Sequence, residues 1–355
     1  MTKILFLGET YRADAKSWIK GIEMEAKVKL HTMEIEKSDS RLKRLYFAFI
    51  FFFQVLQSRR QAAYDIVLAE RATSYGLFAM LVKAKVKVVA QQGITDAYPE
   101  HGFSGFYKRK IQRLVYTNAD IIHAWGNVMT YAMLYSGAAP HKIMILPKGI
   151  DLSIYRMDAN VQIDQLNRSI IVTRSLYQLY QHAEIIRSIA ILKERGYLVK
   201  ATLVGDGPEM SNLQSLSKEL KIEDLVIFTG RISNDQLPEL LSKASFYVAF
   251  PTTEGVSSSL FEAMAMGCFP IVSDLPANQA FLSSRKNGML VPVDDVVALA
   301  DSIEFAINNP ALVAQAVATN RAFIENNVDF NKNMSRIYSQ YRKTLSEKMA
   351  VECAE

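Results

Sequence analysis

Short apolar runs alternate with longer helical patterns along this chain, and the alternation happens twice. In the first half Ile4–Leu7, Asp65–Ala69, Val86–Ala90, Asp120–Ala124 and Lys142–Leu146 read as strands. Helical stretches such as Thr73–Lys83, Phe106–Thr117 and Val128–Ser136 lie between them. Near-continuous apolar runs are what strands covered on both faces look like, and helical connections between them imply a parallel sheet. The rhythm breaks at Pro147-Lys-Gly-Ile-Asp151, and a polar stretch runs to Asn167. It then resumes with strands at Ser169–Thr173, Lys200–Val204, Val226–Thr229, Ser245–Phe250, Phe269–Ser273 and Met289–Val291. Helices are expected between them at His182–Arg195, Glu209–Leu220, Leu237–Lys243 and Ser259–Met266, with another at Val296–Asn308. Two doubly wound α/β domains in tandem are therefore predicted, over 1–155 and 156–330. The last helical pattern, Asn333–Lys348, has no strand after it, so 331–355 is expected to cross back onto the first domain. Open α/β sheets bind ligands beyond the carboxyl ends of their strands, and two such domains facing each other would form a cleft.

The bulk properties agree with two folded domains. The chain has 355 residues, half of them hydrophobic and 22% charged, which excludes a disordered composition. Cys268 and Cys353 stand far apart, and the five histidines show no metal-ligand spacing, so neither a disulfide framework nor a zinc site is expected. The chain opens directly into the strand-like Lys3–Gly8, so no signal peptide and a cytoplasmic location are expected.

Charge is unevenly placed. Residues 1–160 hold 23 Lys and Arg against 14 Asp and Glu, whereas 161–355 hold 18 against 22. A basic first half suits anionic lipid headgroups or a phosphorylated acceptor. A nucleic-acid partner is not expected, because no RNA-binding, zinc-finger or helix-turn-helix signature is present. Leu45–Gln57 is an apolar, aromatic run of 13 residues, too short for a membrane span of about 20. Arg41, Lys43 and Arg44 precede it, and Arg59 and Arg60 follow. It reads either as a buried helix of the first domain or as a basic-aromatic helix on a membrane surface, through Arg41–Arg60.

The densest chemistry lies in Pro251-Thr-Thr-Glu254-Gly-Val-Ser-Ser-Ser-Leu-Phe-Glu262-Ala-Met-Ala-Met-Gly267. A strand ends, a loop carries Glu254 and Gly255, and a helix is expected from about Ser258. The free N–H groups of a helix start form an anion site. Gly255, Val256 and the serines 257 and 258 would let a diphosphate approach, with Glu254 toward a sugar and Glu262 able to accept from ribose hydroxyls. Ser259-Leu-Phe-Glu262 also fits a capping box, in which Glu262 merely satisfies a backbone N–H.

This stretch resembles the Glu-x7-Glu motif of retaining GT-B glycosyltransferases, in particular glycosyltransferase family 4. Cys268–Asn278, Asn287–Pro292, the turn Leu203-Val-Gly205-Asp-Gly207-Pro208, Phe228-Thr-Gly230-Arg231-Ile232 and Pro147–Asp151 also look like that family's pattern. Gly205 and Gly207 do not make a dinucleotide fingerprint, which would require glycine at Met210. A tight turn after a strand is the alternative to ligand contact there. The resemblance implies a base cradle at Arg231 and Ile232 and a diphosphate clamp at Arg174. Guanidinium suits that work, because it forks onto phosphate oxygens. The family's second clamp residue, a lysine six positions on, is Tyr180 here; Tyr180 or His182 could donate a hydrogen bond instead. The family's first-domain histidine is replaced by Gln92, which cannot act as acid or base. Asp96 is the nearest carboxylate and could face acceptor or sugar, or simply start a helix. His123 could reach the cleft or be a satisfied structural histidine.

The resemblance thus implies two facing Rossmann-like domains and transfer, with retention, from a nucleotide-diphosphate sugar, expected to be a UDP-sugar. It implies no metal or other cofactor, with Arg174, Glu254 and Asp96 nearest the chemistry. The acceptor would be a saccharide or lipid-linked saccharide at the inner face of a membrane, in envelope polysaccharide synthesis. A UDP-sugar epimerase on the same fold and a non-catalytic nucleotide-sugar-binding subunit remain the alternatives.

Overall fold

A computed structural model of the chain describes residues 2–38, 40–61, 63–91, 93–98, 102–156 and 168–352. It divides into two compact units, Met1–Lys148 with Phe330–Glu355, and Gly149–Asp329. The division thus falls inside the Pro147–Asp151 turn, and Tyr155 belongs to the second unit.

The first unit holds a six-stranded parallel sheet of β1 (Ile4–Leu7), β2 (His31–Met33), β3 (Tyr64–Glu70), β4 (Ala84–Gln91), β5 (Ile121–Ala124) and β6 (Ile143–Ile145), in the order β2-β1-β3-β4-β5-β6. β1 and β3 are buried along almost their whole length and β4 from Val88 to Gln91, as their apolar runs require. The helix Phe330–Glu352 lies on this sheet beside the helix Ala13–Ala26. It buries Phe330, Met334, Ile337, Tyr338, Tyr341 and Leu345, a spacing that keeps them on one stripe. Full burial of each such side chain stabilises by about 1.5–3 kcal/mol. Gly21 sits where a Cβ would overlap Met334, so the missing side chain lets the two helices meet.

The second unit repeats the architecture with β7 (Ser169–Thr173), β8 (Lys200–Val204), β9 (Val226–Gly230), β10 (Phe246–Ala249), β11 (Phe269–Ser273) and β12 (Met289–Val291). Its order is β12-β11-β10-β7-β8-β9, again all parallel. Strand order reverses between β7 and β10, and the crevice at such a point is where open sheets hold ligands. Cys268 is buried and donates to the carbonyls of Leu241 and Ala244, and burial pushes its thiol up to about 12. Cys353 lies outside the described residues.

The apolar run 45–57 belongs to a helix of 21 residues, Arg41–Gln61. Among the described residues no single helix is long and apolar enough to cross a membrane. The helices Val296–Asn308 and Pro310–Asn327 meet that test only as a pair bent by 96°, and their Leu299, Ile303, Val313 and Val317 line the second unit's core.

Candidate functional site

The site is built where β7 and β10 leave the sheet of the second unit. Arg174 follows β7, and the loop Phe250–Ser257 follows β10. Across this switch point Arg174 donates through Nη2 to the Glu254 carboxylate and to Ser257 Oγ. The ion pair is largely withdrawn from water, with side-chain exposures of 15% and 12%. Burial alone would lower the guanidinium's pKa, but Tyr247 and Glu254 beside it reverse the balance and hold it above its ordinary value. The cation is permanent, and a guanidinium has five N–H donors, so Arg174 keeps capacity for a further anion. Its plane also lies over the Tyr180 ring, 5.4 Å from the centroid. Tyr180, standing in the position of the expected lysine, thus supports Arg174 by a cation–π contact.

Ser257 is the N-cap of the helix Ser258–Ala265 and accepts from the Leu260 N–H at 3.2 Å. The capping-box alternative therefore fails: the cap is Ser257 rather than Ser259, and Glu262 lies beyond the third helical position. Glu262 is instead half-buried and engaged by the Tyr155 hydroxyl, whose pKa is raised by burial and by that carboxylate. Tyr155 is the residue that sequence reasoning missed, because nothing in its local sequence announces a partner on a distant helix. Gly255 donates its N–H to Glu254 Oε1 at 3.1 Å, which holds the carboxylate over the loop. Val256 packs on the apolar cluster beneath, and Ser258 is exposed.

The glycine turn after β8 has a backbone explanation. Gly205 has φ 148°, and a Cβ there would overlap the Arg174 carbonyl; one at Gly207 would overlap that of Leu176. The Leu176 N–H donates to the Asp206 carbonyl at 3.0 Å, and the Glu209 N–H to that of Leu176 at 3.1 Å. The two loops are thus laced together, and the turn 205–208 supports the segment that carries Arg174. Gly230, with φ 68°, ends β9 and accepts from the Gly205 N–H at 3.0 Å. Beyond it Arg231 is exposed, and Ile232 packs on the same apolar cluster as Val256.

His182 opens the helix His182–Glu194, edge-on to Tyr180 at 6.3 Å. Burial lowers its pKa to about 4, so it is neutral at pH 7.

The first-unit candidates separate. His123 is fully buried in β5; its Nε2–H donates to the Leu146 carbonyl at 2.8 Å, and its Nδ1 accepts from the Tyr341 hydroxyl at 2.9 Å. Burial takes its pKa down to about 4. Both nitrogens serve the seam between sheet and last helix, so His123 is the structural histidine of the two alternatives. Asp96 lies on the short helix Ile94–Ala97, but its side chain is outside the described residues, as is Gln92. Lys148 is buried, donates to Asp14 Oδ1 at 2.7 Å and sits 4.1 Å from the Trp125 ring centroid. Among the described residues no three His, Cys, Asp or Glu side chains are grouped to hold a metal ion.

Residues 157–328 match the family model for glycosyl transferases group 1. A Campylobacter jejuni relative, N-acetylgalactosamine-N,N'-diacetylbacillosaminyl-diphospho-undecaprenol 4-alpha-N-acetylgalactosaminyltransferase, is 26% identical over 65% of this chain and 63% of its own length. The chain thus spans less than two thirds of that relative. Among solved structures, Anabaena HepE in complex with UDP superposes with a TM-score of 0.75 at 18% identity, over 98% of this chain and 100% of that one. Sucrose-phosphate synthase from Thermosynechococcus elongatus gives 0.79 at 15% identity, over 98% and 100%. These likenesses show a GT-B fold, and with the family match they support the glycosyltransferase superfamily.

Proposed function

We propose that the chain transfers a sugar, with retention of anomeric configuration, from a nucleotide-diphosphate donor to a saccharide or lipid-linked saccharide in cell-envelope glycan synthesis. The observation that carries this reading is the convergence of Arg174, Glu254 and the Ser257-capped helix start at the strand-order reversal of the second unit. In this reading the helix start and Arg174 receive the negative charge that develops on the departing diphosphate, the task a metal ion performs elsewhere, so no metal is required. Glu254 orients Arg174 and borders the sugar, while Glu262, held by Tyr155, accepts from the ribose. Gly205, Arg231, Ile232, Gly255, Val256 and Ser258 complete the donor site. A UDP-linked donor is favoured because HepE, a neighbour of the same fold, was solved with UDP. The Campylobacter relative's named acceptor, a diphospho-undecaprenol saccharide, supports a lipid-linked acceptor. Asp96 is the carboxylate we assign to the acceptor side. With Gln92 in the position of the family's histidine, the leaving phosphate itself takes the acceptor proton, on the face the sugar leaves.

The test is a transfer assay with UDP-sugars and a polyprenyl-diphosphate saccharide, with and without EDTA, reading the new anomeric centre by NMR. An axial donor bond that remains axial in product, at a rate EDTA leaves unchanged, is the expected result. Inversion, epimer formed without acceptor, or a strict need for added metal would refute the reading.

A further inference from the structure

The first unit has a strand-order reversal of its own. Its sheet runs β2-β1-β3-β4, so the change of direction falls between β1 and β3. The loops that follow these two strands carry Glu9 and Arg71. Arg71 donates through Nη2 to Glu9 Oε2 at 2.5 Å and through Nη1 to Oε1 at 3.4 Å, a forked pair across the reversal. Arg12 donates to the same Oε2 at 3.3 Å. The second unit holds the same device with the partners exchanged, since there the first strand carries Arg174 and its neighbour carries Glu254. The crevice at such a reversal is where open parallel sheets place ligands.

The loops are shaped around this pair. Glu70, the last residue of β3, is buried, and its carboxylate accepts the Glu9 N–H at 2.8 Å. A Cβ at Gly8 would come within 2.7 Å of that carboxylate, so the missing side chain leaves room for it. Arg71 stands at φ 61°, a left-handed conformation that is costly for a residue other than glycine and persists where its surroundings impose it. Strain of this kind concentrates at binding and catalytic sites. The pair is open to solvent, with side-chain exposures of 23% for Glu9 and 28% for Arg71, and Tyr11 beside it is 47% exposed. Burial alone would raise the pKa of Glu9, but the guanidiniums of Arg71 and Arg12 hold it below its ordinary value. Burial and that carboxylate in turn raise the pKa of the Tyr11 hydroxyl.

The charges decide the class of ligand. Arg12, Arg71 and Lys37, the last 5.6 Å from the Tyr11 ring centroid, are offset by Glu9, Glu70 and Glu34. Glu34 follows β2 and accepts from the Thr10 N–H and hydroxyl at 2.8 and 2.6 Å. A phosphate would meet these carboxylates as well as the guanidiniums. A sugar hydroxyl both donates and accepts, so neighbouring hydroxyls can give to Glu9 and take from Arg12. An exposed tyrosine ring suits the apolar face of a pyranose.

We propose that the loops after β1 and β3 form a saccharide subsite of the first unit, with Glu9 and Arg12 bonding adjacent hydroxyls and Tyr11 stacking on the ring. Arg71 is the positioning residue that fixes the Glu9 carboxylate. This deepens the transfer reading and rests on it for taking the bound sugar to be the acceptor's. β4, the next strand of the sheet, leads into the short helix that carries Asp96.

The experiment is saturation-transfer NMR of the full chain with the methyl α-glycosides of glucose, galactose, N-acetylglucosamine and N-acetylgalactosamine. The wild type is expected to bind at least one of them. Glu9→Gln and Tyr11→Ser should each weaken that binding about tenfold, and Arg174→Ala should leave it unchanged. Glycine adopts φ 61° without steric cost, so Arg71→Gly should lose glycoside binding while its melting temperature stays close to that of the wild type. A pair that merely pins two loops together would give the reverse: a lower melting temperature in Arg71→Gly and Glu9→Gln, with glycoside binding intact. That result would overturn the proposal. So would the absence of any glycoside signal, or a signal lost in Arg174→Ala and kept in Glu9→Gln, because the sugar would then sit in the second unit. UDP stabilisation of a chain that ignores all four glycosides would sink the subsite alone; glycoside binding through Glu9 without any nucleotide effect would sink the donor reading alone.

Discussion

Arg174 and Glu254 are 80 positions apart, yet they form the most enclosed ion pair of the second unit's candidate site. Their residue types could be singled out from the motif, but their pairing could not, because it depends on two strand ends becoming neighbours in the sheet. Tyr180 shows the same limit: its identity announces a missing lysine, and only the fold turns its ring beneath the guanidinium. His123 is the clearer case, since the sequence left it between cleft and core, and two hydrogen bonds place it in the core. Burial lowers its pKa from 6.5 to about 4, as it does for His182 in the other unit. The sign follows from proton counts. Between pH 6.5 and 4 the unfolded chain binds the protons and the folded chain does not, so stability is full above about 6.5 and falls with acidification. Each histidine contributes a slope of up to about 1.4 kcal/mol per pH unit in that window. His123→Gln should therefore flatten the pH dependence of the first unit's unfolding midpoint in urea, even if it lowers stability at pH 7. A slope equal to the wild type's would show that His123 is not held neutral.

At the scale of elements, the strands at Ser169–Thr173, Lys200–Val204, Phe269–Ser273 and Met289–Val291 could be read from the sequence to the residue. Each is a short apolar run in a parallel sheet, where both faces are covered and the pattern is strongest. β2 was not legible: His31–Met33 is a three-residue edge strand with largely exposed side chains, so no apolar run marks it. The helical pattern expected over Thr73–Lys83 proved to be a π-turn, Arg71–Gly76, followed by the helix Leu77–Leu81, with Arg71 at a left-handed φ of 61°. Such a start depends on what β3 packs against, not on periodicity. The loop after β8 offers an element-level test. Gly205→Ala places a side chain at a φ that disfavours it and against the Arg174 carbonyl. We expect a loss of about 3 kcal/mol in stability, from strain plus displacement of the β7 loop. We also expect nucleotide affinity to fall although no ligand-contacting side chain is removed. A variant with wild-type melting and wild-type affinity would mean that the two loops are not laced as described.

At the scale of the molecule, the doubled α/β rhythm was enough to predict two doubly wound sheets, and both are present with parallel strands throughout. The return of the last helix to the first unit was legible because no strand follows Asn333–Lys348; it was found as Phe330–Glu352, packed on the first unit's sheet. What the sequence could not show is which side of Arg41–Gln61 faces water, because its central run Leu45–Leu56 is almost continuously apolar and periodicity cannot choose between its faces. In the second unit, the proposed function requires that the strand-order reversal hold a nucleotide diphosphate through Arg174. Thermal unfolding of the full chain with UDP, GDP and ADP, each with and without EDTA, tests it most directly. Stabilisation by UDP is expected, about 2.7 kcal/mol at 100 times the Kd, unchanged by EDTA and lost in Arg174→Ala. No stabilisation by any nucleotide, or a UDP effect that survives Arg174→Ala intact, would contradict it.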